Sequence, residues 1–303
     1  MSATIFIDGE AGTTGLQIRE KLAGVSGIEL LSLPPEARKD AAAKRKIYSE
    51  ADVVILCLPD EAAKEAAHLI DAMGPDAPRV IDASSAHRVA PGWTYGFPEL
   101  VAGQGDAVAK ADKVTNPGCH ATGAIALLRP LTDAGVIAKD AAVSITSVSG
   151  YSGGGKSMIE AYEAGNAPAF ELYGLKLEHK HMPEIELYSG LATRPIFVPS
   201  VGNFRQGMLV SVPLHLDSLP GKPKAADLVA VFSKHYRGQT HFRVSESDGA
   251  RIEPESLNGT NDIEIHVYPN EARREALLVA KFDNLGKGAS GAAVQNLMLM
   301  LGR

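Results

Sequence analysis

A strand, a glycine-punctuated turn and a helix succeed one another within the first two dozen residues, and few folds begin that way. Thr4-Ile5-Phe6-Ile7 is a short apolar run, Gly9-Glu10-Ala11-Gly12-Thr13-Thr14-Gly15 follows, and Gly15–Ala23 has helix-forming composition. In such a setting glycines let backbone N–H groups approach a pyrophosphate at the helix N-terminus. Gly9, Gly12, Thr13, Thr14 and Gly15 are therefore candidate dinucleotide contacts. The spacing is GxxGxxG rather than GxGxxG, so context carries the assignment, and a tight turn without a ligand is the competing reading.

The alternation continues to about residue 118. Apolar runs at Thr4–Ile7, Ile28–Leu33, Val53–Leu58 and Arg79–Ile81 are separated by helix-prone segments such as Gly15–Ala23 and Glu61–Met73. That pattern predicts βαβ units and a parallel sheet. A site for NAD often carries Asp or Glu at the end of the second strand. Here Ser32 stands near that end and Arg38 and Lys39 follow, which favours the 2′-phosphate of NADP; ordinary solvated charges are the alternative. From about residue 140 the strand-like stretches lengthen: Ala142–Ser149, Arg194–Pro199, Met208–Leu216, Asp262–Tyr268 and Ala276–Phe282. Several alternate apolar and polar residues, predicting an antiparallel sheet with one face covered. The last segment, Ala289–Leu301, reads as a helix. A length of 303 residues suits two domains. The expected class is α/β, with an N-terminal Rossmann-type dinucleotide-binding domain and an α+β domain whose sheet is mainly antiparallel.

Charge and cysteine usage narrow the function. A formal charge of −6 with scattered basic residues argues against a nucleic-acid binder. The longest apolar runs fall far short of a membrane span. The N-terminus lacks the basic start and apolar stretch of a signal peptide. The two cysteines, Cys57 and Cys119, form neither a disulfide scaffold nor a paired metal spacing. A cytoplasmic enzyme acting on a small molecule is the expectation.

Cys119 is the chemical focus. Asn116-Pro117-Gly118-Cys119-His120 reads as a strand end and a sharp turn, and Ala124-Ile125-Ala126-Leu127-Leu128 as the helix it opens. A thiol at a helix N-terminus feels the positive end of the dipole, which favours thiolate and makes a nucleophile. Cys57 lies inside Val53–Leu58 and reads as a buried strand residue. Among the nine histidines, His179 and His181 stand two apart in Glu178–Ile185. In an extended segment both would point the same way, and one could protonate an alkoxide or orient substrate. A metal site of His179, His181 and Glu184 is the weaker alternative, since no other ligand cluster is visible. His120 is expected to point elsewhere along the turn. Gly150-Tyr151-Ser152-Gly153-Gly154-Gly155-Lys156-Ser157 formally satisfies G-x-x-x-x-G-K-[ST], so a P-loop nucleotidase is a rival. No clean apolar strand ending in Asp follows it, because Leu277–Asp283 is interrupted by Lys281.

Taken together, these residues resemble the short form of the N-acetyl-γ-glutamyl-phosphate reductase family of arginine biosynthesis, akin to aspartate-semialdehyde dehydrogenase and, by fold, to glyceraldehyde-phosphate dehydrogenase. The most specific segments are Asn116–Gly123, His179–Ile185, Asp82–Arg88, Tyr95–Leu100 and Asn284–Gly291. The resemblance implies an NADP-binding domain over 1–118, completed by a C-terminal helix at 289–303, and a catalytic and oligomerisation domain over 119–288. It implies that Arg88, His179 and His181 hold and process the substrate, with Ser149 and Gly150 near the reacting group. It also implies that Ser84, Asn284 and Gly288 belong to the cofactor site, and that the protein is a dimer or tetramer. The implied chemistry is attack of Cys119 on an acyl phosphate, reduction of the resulting thioester by NADPH, and release of the semialdehyde with histidine acid–base help. Backbone N–H groups near Cys119 and the Asn116 side chain are candidate oxyanion donors. Another acyl phosphate, aspartyl or carrier-linked glutamyl or aminoadipyl, is the alternative substrate.

Overall fold

The computed structural model describes residues 2–303 and divides into two compact units. One holds the chain up to Pro98, Ala102–Pro117 and Ala289–Arg303; the other holds Glu99–Val101 and Gly118–Gly288.

The first unit runs β1 (Ala3–Asp8), α1 (Thr13–Leu22), β2 (Ile28–Leu31), α2 (Ala41–Glu50), β3 (Val53–Leu56), α3 (Asp60–Asp71), β4 (Arg79–Asp82), β5 (Thr94–Tyr95), α4 (Gln104–Lys110) and β6 (Lys113–Thr115). Its sheet has the order β2-β1-β3-β4-β6-β5, and each pairing is parallel. The central strand β3, Val-Val-Ile-Leu, is buried throughout, as a strand covered on both faces must be. Side chains alternate across it. Ile5, Ile7, Val53 and Ile55 pack with Ile18 and Leu22 of α1, whereas Phe6, Val54 and Leu56 pack with Tyr48 of α2 and with Ala66 and Ile70 of α3.

The second unit contains α5 (Cys119–Asp133), β7 (Ser144–Gly150), α6 (Lys156–Glu163), β8 (Phe170–Leu172), α7 (Met182–Tyr188), β9 (Ile196–Gly202), β10 (Met208–His215), α8 (Ala225–His235), β11 (Phe242–Glu246), β12 (Ile263–Asn270) and β13 (Glu275–Phe282). Its sheet has the order β11-β12-β13-β10-β7-β9-β8. Four pairings are antiparallel, and β11 with β12 and β7 with β9 are parallel, so the sheet is mixed. The chain then winds one π-helical turn, Gly286–Ser290, before the last helix, α9 (Gly291–Met300), which belongs to the first unit. That turn is why the helix opens at Gly291 rather than at Ala289. α9 packs on α1 and α4 through Ala293 and Leu297.

Helix α5 is buried from His120 to Leu128 and again at Pro130–Thr132; a helix apolar on every side belongs in the interior of its unit. It lies close on the sheet at Gly123, where a Cβ would stand 2.5 Å from Cγ2 of Val210 and 2.8 Å from Cε1 of Phe282. Both neighbours are fully buried. Gly123→Ala gains about 1 kcal/mol of helix propensity and meets an overpacking cost of about 1–3 kcal/mol. We expect packing to win, lowering stability by about 1–2 kcal/mol. The urea midpoint should fall with the m-value unchanged; a more stable variant would show that helix and sheet have room to spare.

Candidate active site

Cys119 is the first residue of α5, and Gly118 is its extended N-cap. The N–H of Gly118 donates to Oε2 of Glu184 at 3.1 Å, and Glu184 is 1% exposed. The segment weighed as metal-binding thus supplies its carboxylate to the turn that carries the thiol. Among the described residues, no group of three or more His, Cys, Asp or Glu is arranged to hold a metal ion. Gly288 lies against the same residue: a Cβ on it would stand 2.9 Å from the Cβ of Cys119. The turn carrying Gly288 is pinned by Lys287, whose Nζ donates to both carboxylate oxygens of Glu99 at 2.8 Å. Burial pushes the Lys287 pKa down, and Glu99 works against that shift. A buried pair of this kind fixes geometry more dependably than it adds stability.

The histidines meet within this unit, though not in an extended segment. His181 N–H donates to Nδ1 of His179 at 3.1 Å, and Met182 N–H donates to the His179 carbonyl at 2.8 Å, so His179–His181 is a tight turn leading into α7. Pro183 at the start of α7 suits that entry. The two rings stand edge to face with centroids 4.7 Å apart. With Nδ1 accepting, a neutral His179 carries its proton on Nε2. His120 completes the cluster, 5.4 Å from His179 and 5.5 Å from His181, with Phe197 also 5.4 Å from His120. Its Nδ1 shares a hydrogen bond with Ser147 Oγ at 2.6 Å and its Nε2 one with Tyr173 Oη at 2.7 Å. Burial, then the charges of His179 and Lys180, pushes the His120 pKa down to about 3. Burial and Cys119 raise the Tyr173 phenol pKa. The arrangement holds a neutral inner histidine and two further imidazoles able to move protons. His120, expected to point elsewhere along the turn, instead sits about 100° further round the helix than Cys119 and joins the other imidazoles; Tyr173 has no local signal in the sequence.

Ser149 and Gly150 end β7. Ser149 Oγ donates to the Gly150 carbonyl at 3.0 Å, and Gly150 is pressed against the backbone of Arg205 and Gln206. The glycines that follow form a 3₁₀ turn rather than a phosphate cradle. Ser152 N–H donates to Arg205 O at 3.0 Å, and Lys156, 82% exposed, faces solvent beside Glu160. The P-loop pattern is therefore a coincidence of spelling. Asn284, 1% exposed, accepts from Gly207 N–H at 2.8 Å and donates to Ser152 Oγ at 3.0 Å.

In the first unit, Gly9 has φ +91°, and the absent side chain of Gly15 lets α1 start hard against the Gly9 carbonyl. Gly12 is the N-cap of α1 and makes no side-chain cap, which suits first-turn N–H groups to an anionic ligand. Thr13 and Thr14 open the helix. Ser32 and Arg38 converge on Glu10, with Arg38 Nη2 donating at 2.8 Å; Lys39 is exposed. Past β4, Ser84 donates through N–H and Oγ to buried Asp82, each at 2.8 Å. Nε of Arg88, 8% exposed, donates to the Asn116 carbonyl at 3.1 Å. The Asn116 side chain also makes contacts within its own unit: Nδ2 donates one N–H to Ala289 O at 2.9 Å and Oδ1 accepts from Asn296 at 3.2 Å. Burial, then Asp82 and Asp8, pushes the Cys57 thiol pKa up to about 12, the opposite of a reactive setting.

Residues 12–108 match the semialdehyde dehydrogenase NAD-binding domain, and residues 119–284 match the semialdehyde dehydrogenase dimerisation domain. An N-acetyl-gamma-glutamyl-phosphate reductase of Chelativorans sp. (strain BNC1) is 53% identical over 99% of each chain. N-acetyl-gamma-glutamyl-phosphate reductase 2 of Pseudomonas putida is 50% identical over 98% of this chain and 96% of its own. In fold, the chain is similar to aspartate semialdehyde dehydrogenase II from Vibrio cholerae, with TM-score 0.75, 16% identity and coverage of 100% and 99%. The aspartate semialdehyde dehydrogenase from Candida albicans solved with NADP gives TM-score 0.68 at 14% identity, covering 99% of each chain.

The buried His120 makes a measurable statement about acid. Its folded pKa lies below the ordinary 6.5, so between these values the unfolded chain binds a proton that the folded chain does not. Stability is then lost as pH falls below 6.5, by about 1.4 kcal/mol per pH unit. His120→Asn is expected to shrink the drop in unfolding free energy between roughly pH 7 and pH 5 by about 1–2 kcal/mol, read by urea titration at the two pH values. An unchanged drop would place the ring in water.

Proposed function

The chain belongs to the semialdehyde dehydrogenase family and, within it, to the N-acetyl-γ-glutamyl-phosphate reductases, and from that membership we propose the following assignment of its residues. The reaction converts N-acetyl-L-glutamyl 5-phosphate to N-acetyl-L-glutamate 5-semialdehyde and phosphate, a step of arginine biosynthesis. One observation carries the mechanism: Cys119 opens a buried 15-residue helix, in a unit that also gathers three imidazoles.

Cys119 thiolate attacks the acyl-phosphate carbon. The tetrahedral oxyanion collapses, the C–O bond to phosphate breaks, and a thioester remains. The helix dipole favours the anionic sulfur before attack, and α5 backbone N–H groups together with the Asn116 side chain are assigned as oxyanion donors. A bound nicotinamide dinucleotide supplies the hydride that takes the thioester to the aldehyde level. The His179/His181 pair gives and takes the proton as the thiohemiacetal forms and breaks its C–S bond. His120 stays neutral at physiological pH and holds Tyr173 and Ser147 in place. Arg88, Ser149 and Gly150 are assigned to the substrate.

The dinucleotide fits the first unit. Gly9, Gly12, Thr13, Thr14 and Gly15 hold the pyrophosphate, and Ser32 and Arg38 hold a 2′-phosphate, which makes the cofactor NADP rather than NAD. Ser84, Asn284 and Gly288 are assigned to the nicotinamide end, Asn284 through the turn it braces. Among the described residues, no helix is long and apolar enough to cross a membrane. A cytoplasmic homo-oligomer, dimer or tetramer, belongs to the same reading. It is supported by the dimerisation-domain match and by exposed Phe170 and Leu172 on the sheet's edge strand.

The test is the reverse reaction. The protein should reduce NADP with N-acetylglutamate semialdehyde only when inorganic phosphate is present, and much more slowly with aspartate semialdehyde. Cys119→Ser should lower kcat by at least about a thousandfold. Iodoacetamide should inactivate the enzyme, and substrate should protect it. Near-normal turnover in C119S would sink the thioester route, and a preference for the aspartyl substrate would overturn the specificity.

A further inference from the structure

Glu10 stands directly after Gly9 in the glycine turn and is the hub of a compact polar cluster in the first unit. Its Oε2 accepts from Nη1 of Arg19 at 2.7 Å and from Ser32 Oγ at 3.0 Å, and its Oε1 accepts from Nη2 of Arg38 at 2.8 Å. Arg19 also donates to Ser32 Oγ at 2.8 Å. The carboxylate side chain is 11% exposed, whereas Arg19 and Arg38 are 41% and 39% exposed.

Two guanidiniums and a hydroxyl at the end of the second strand are the donors a phosphate monoester takes. Here they already hold an anion. A carboxylate and a 2′-phosphate cannot both take these N–H groups, and two anions a few ångströms apart repel.

We propose that Glu10 is the residue that sets the discrimination between 2′-phosphorylated and 2′-hydroxyl dinucleotides. It acts as an internal counter-anion on Arg19, Arg38 and Ser32 that a 2′-phosphate must displace. This rests on reading Ser32 and Arg38 as the 2′-phosphate contacts. A ligand that binds only the released arrangement loses affinity in proportion to how rarely that arrangement is populated. NADP bears that loss. NAD does not, because its ribose hydroxyls can donate to a carboxylate where it stands. Glu10 therefore narrows the preference for NADP while keeping both arginines folded against the loop.

Glu10→Gln keeps the size and removes the charge. Dissociation constants for NADPH, NADH, adenosine 2′,5′-bisphosphate and AMP, measured by calorimetry on the full chain, report binding without turnover. Relative to the wild type, E10Q should tighten NADPH over NADH, and the bisphosphate over AMP, by on the order of tenfold. Adding Arg38→Ala to E10Q should abolish that gain. An unchanged ratio overturns the proposal. So does uniform weakening of all four ligands in a variant that melts like the wild type, since Glu10 would then be a structural clasp only. Should E10Q not fold, Glu10→Asp keeps the charge but draws it back from the guanidiniums; it should move the ratio the same way by less, and no movement again overturns the proposal. The two readings fail separately. If the wild type holds the bisphosphate no better than AMP, and R38A changes neither, the 2′-phosphate assignment falls and this proposal with it. If the wild type prefers the bisphosphate and E10Q leaves that preference alone, only the role of Glu10 falls.

Discussion

The close seating of α5 on its sheet is the constraint from which the chemistry of the second unit follows. A helix buried on every side has no freedom to roll or slide, and Gly123 brings it nearer to Val210 and Phe282 than any side chain would permit. Its first residue is therefore fixed in position, and that residue is Cys119. Everything nearby is arranged around this fixed point. Gly288 closes on the cysteine from one direction, the Glu184 carboxylate takes the N–H just before it, and His120 turns from the same helix toward Ser147 and Tyr173. A nucleophile on a loop would need each of these contacts to hold it; here packing does so, and the contacts are left to tune the chemistry.

The Lys287–Glu99 pair and His120 handle the burial of an ionisable group in different ways. Lys287 and Glu99 sit together at 1% and 2% side-chain exposure, each satisfying the other at 2.8 Å. Desolvation and attraction nearly offset in such a pair, so its value lies in allowing one geometry only. That geometry sets the turn leading to Gly288. His120 solves the same problem by staying neutral, with both ring nitrogens engaged. A cation there would repel any proton placed on His179 or His181, so a neutral inner ring leaves the outer pair able to carry charge.

Much of this was legible in the chain. The run Val53–Leu58, alternating with helix-prone segments and following the glycine turn, made the parallel sheet readable in outline. Cys119 could be singled out because strand end, turn and helix are all local signals. What stayed hidden depends on contacts far apart in sequence. His179 and His181 look extended by spacing, yet the bond from His181 N–H to His179 Nδ1 closes a turn. Asn116 reads from sequence as a turn residue beside the cysteine, yet Ala289 and Asn296, about 170–180 residues away, engage its amide. The parallel pairings of β11 with β12 and β7 with β9 leave no local mark, because pairing direction is set by the connections rather than by the alternation within a strand.

Glu10 is the sharpest case of the same limit. Nothing in the sequence marks Glu10 apart from its place in the glycine turn, and Ser32 and Arg38 read as a phosphate site. Only their convergence shows that the loop carries its own anion. Two guanidiniums close together without a counter-charge would repel each other and draw water into the end of the sheet. A carboxylate from the glycine turn prevents this, and it ties that turn to the second strand before any dinucleotide arrives. Preorganisation and competition are then two consequences of one set of hydrogen bonds: the contacts that shape the loop for the cofactor are also those its phosphate must break.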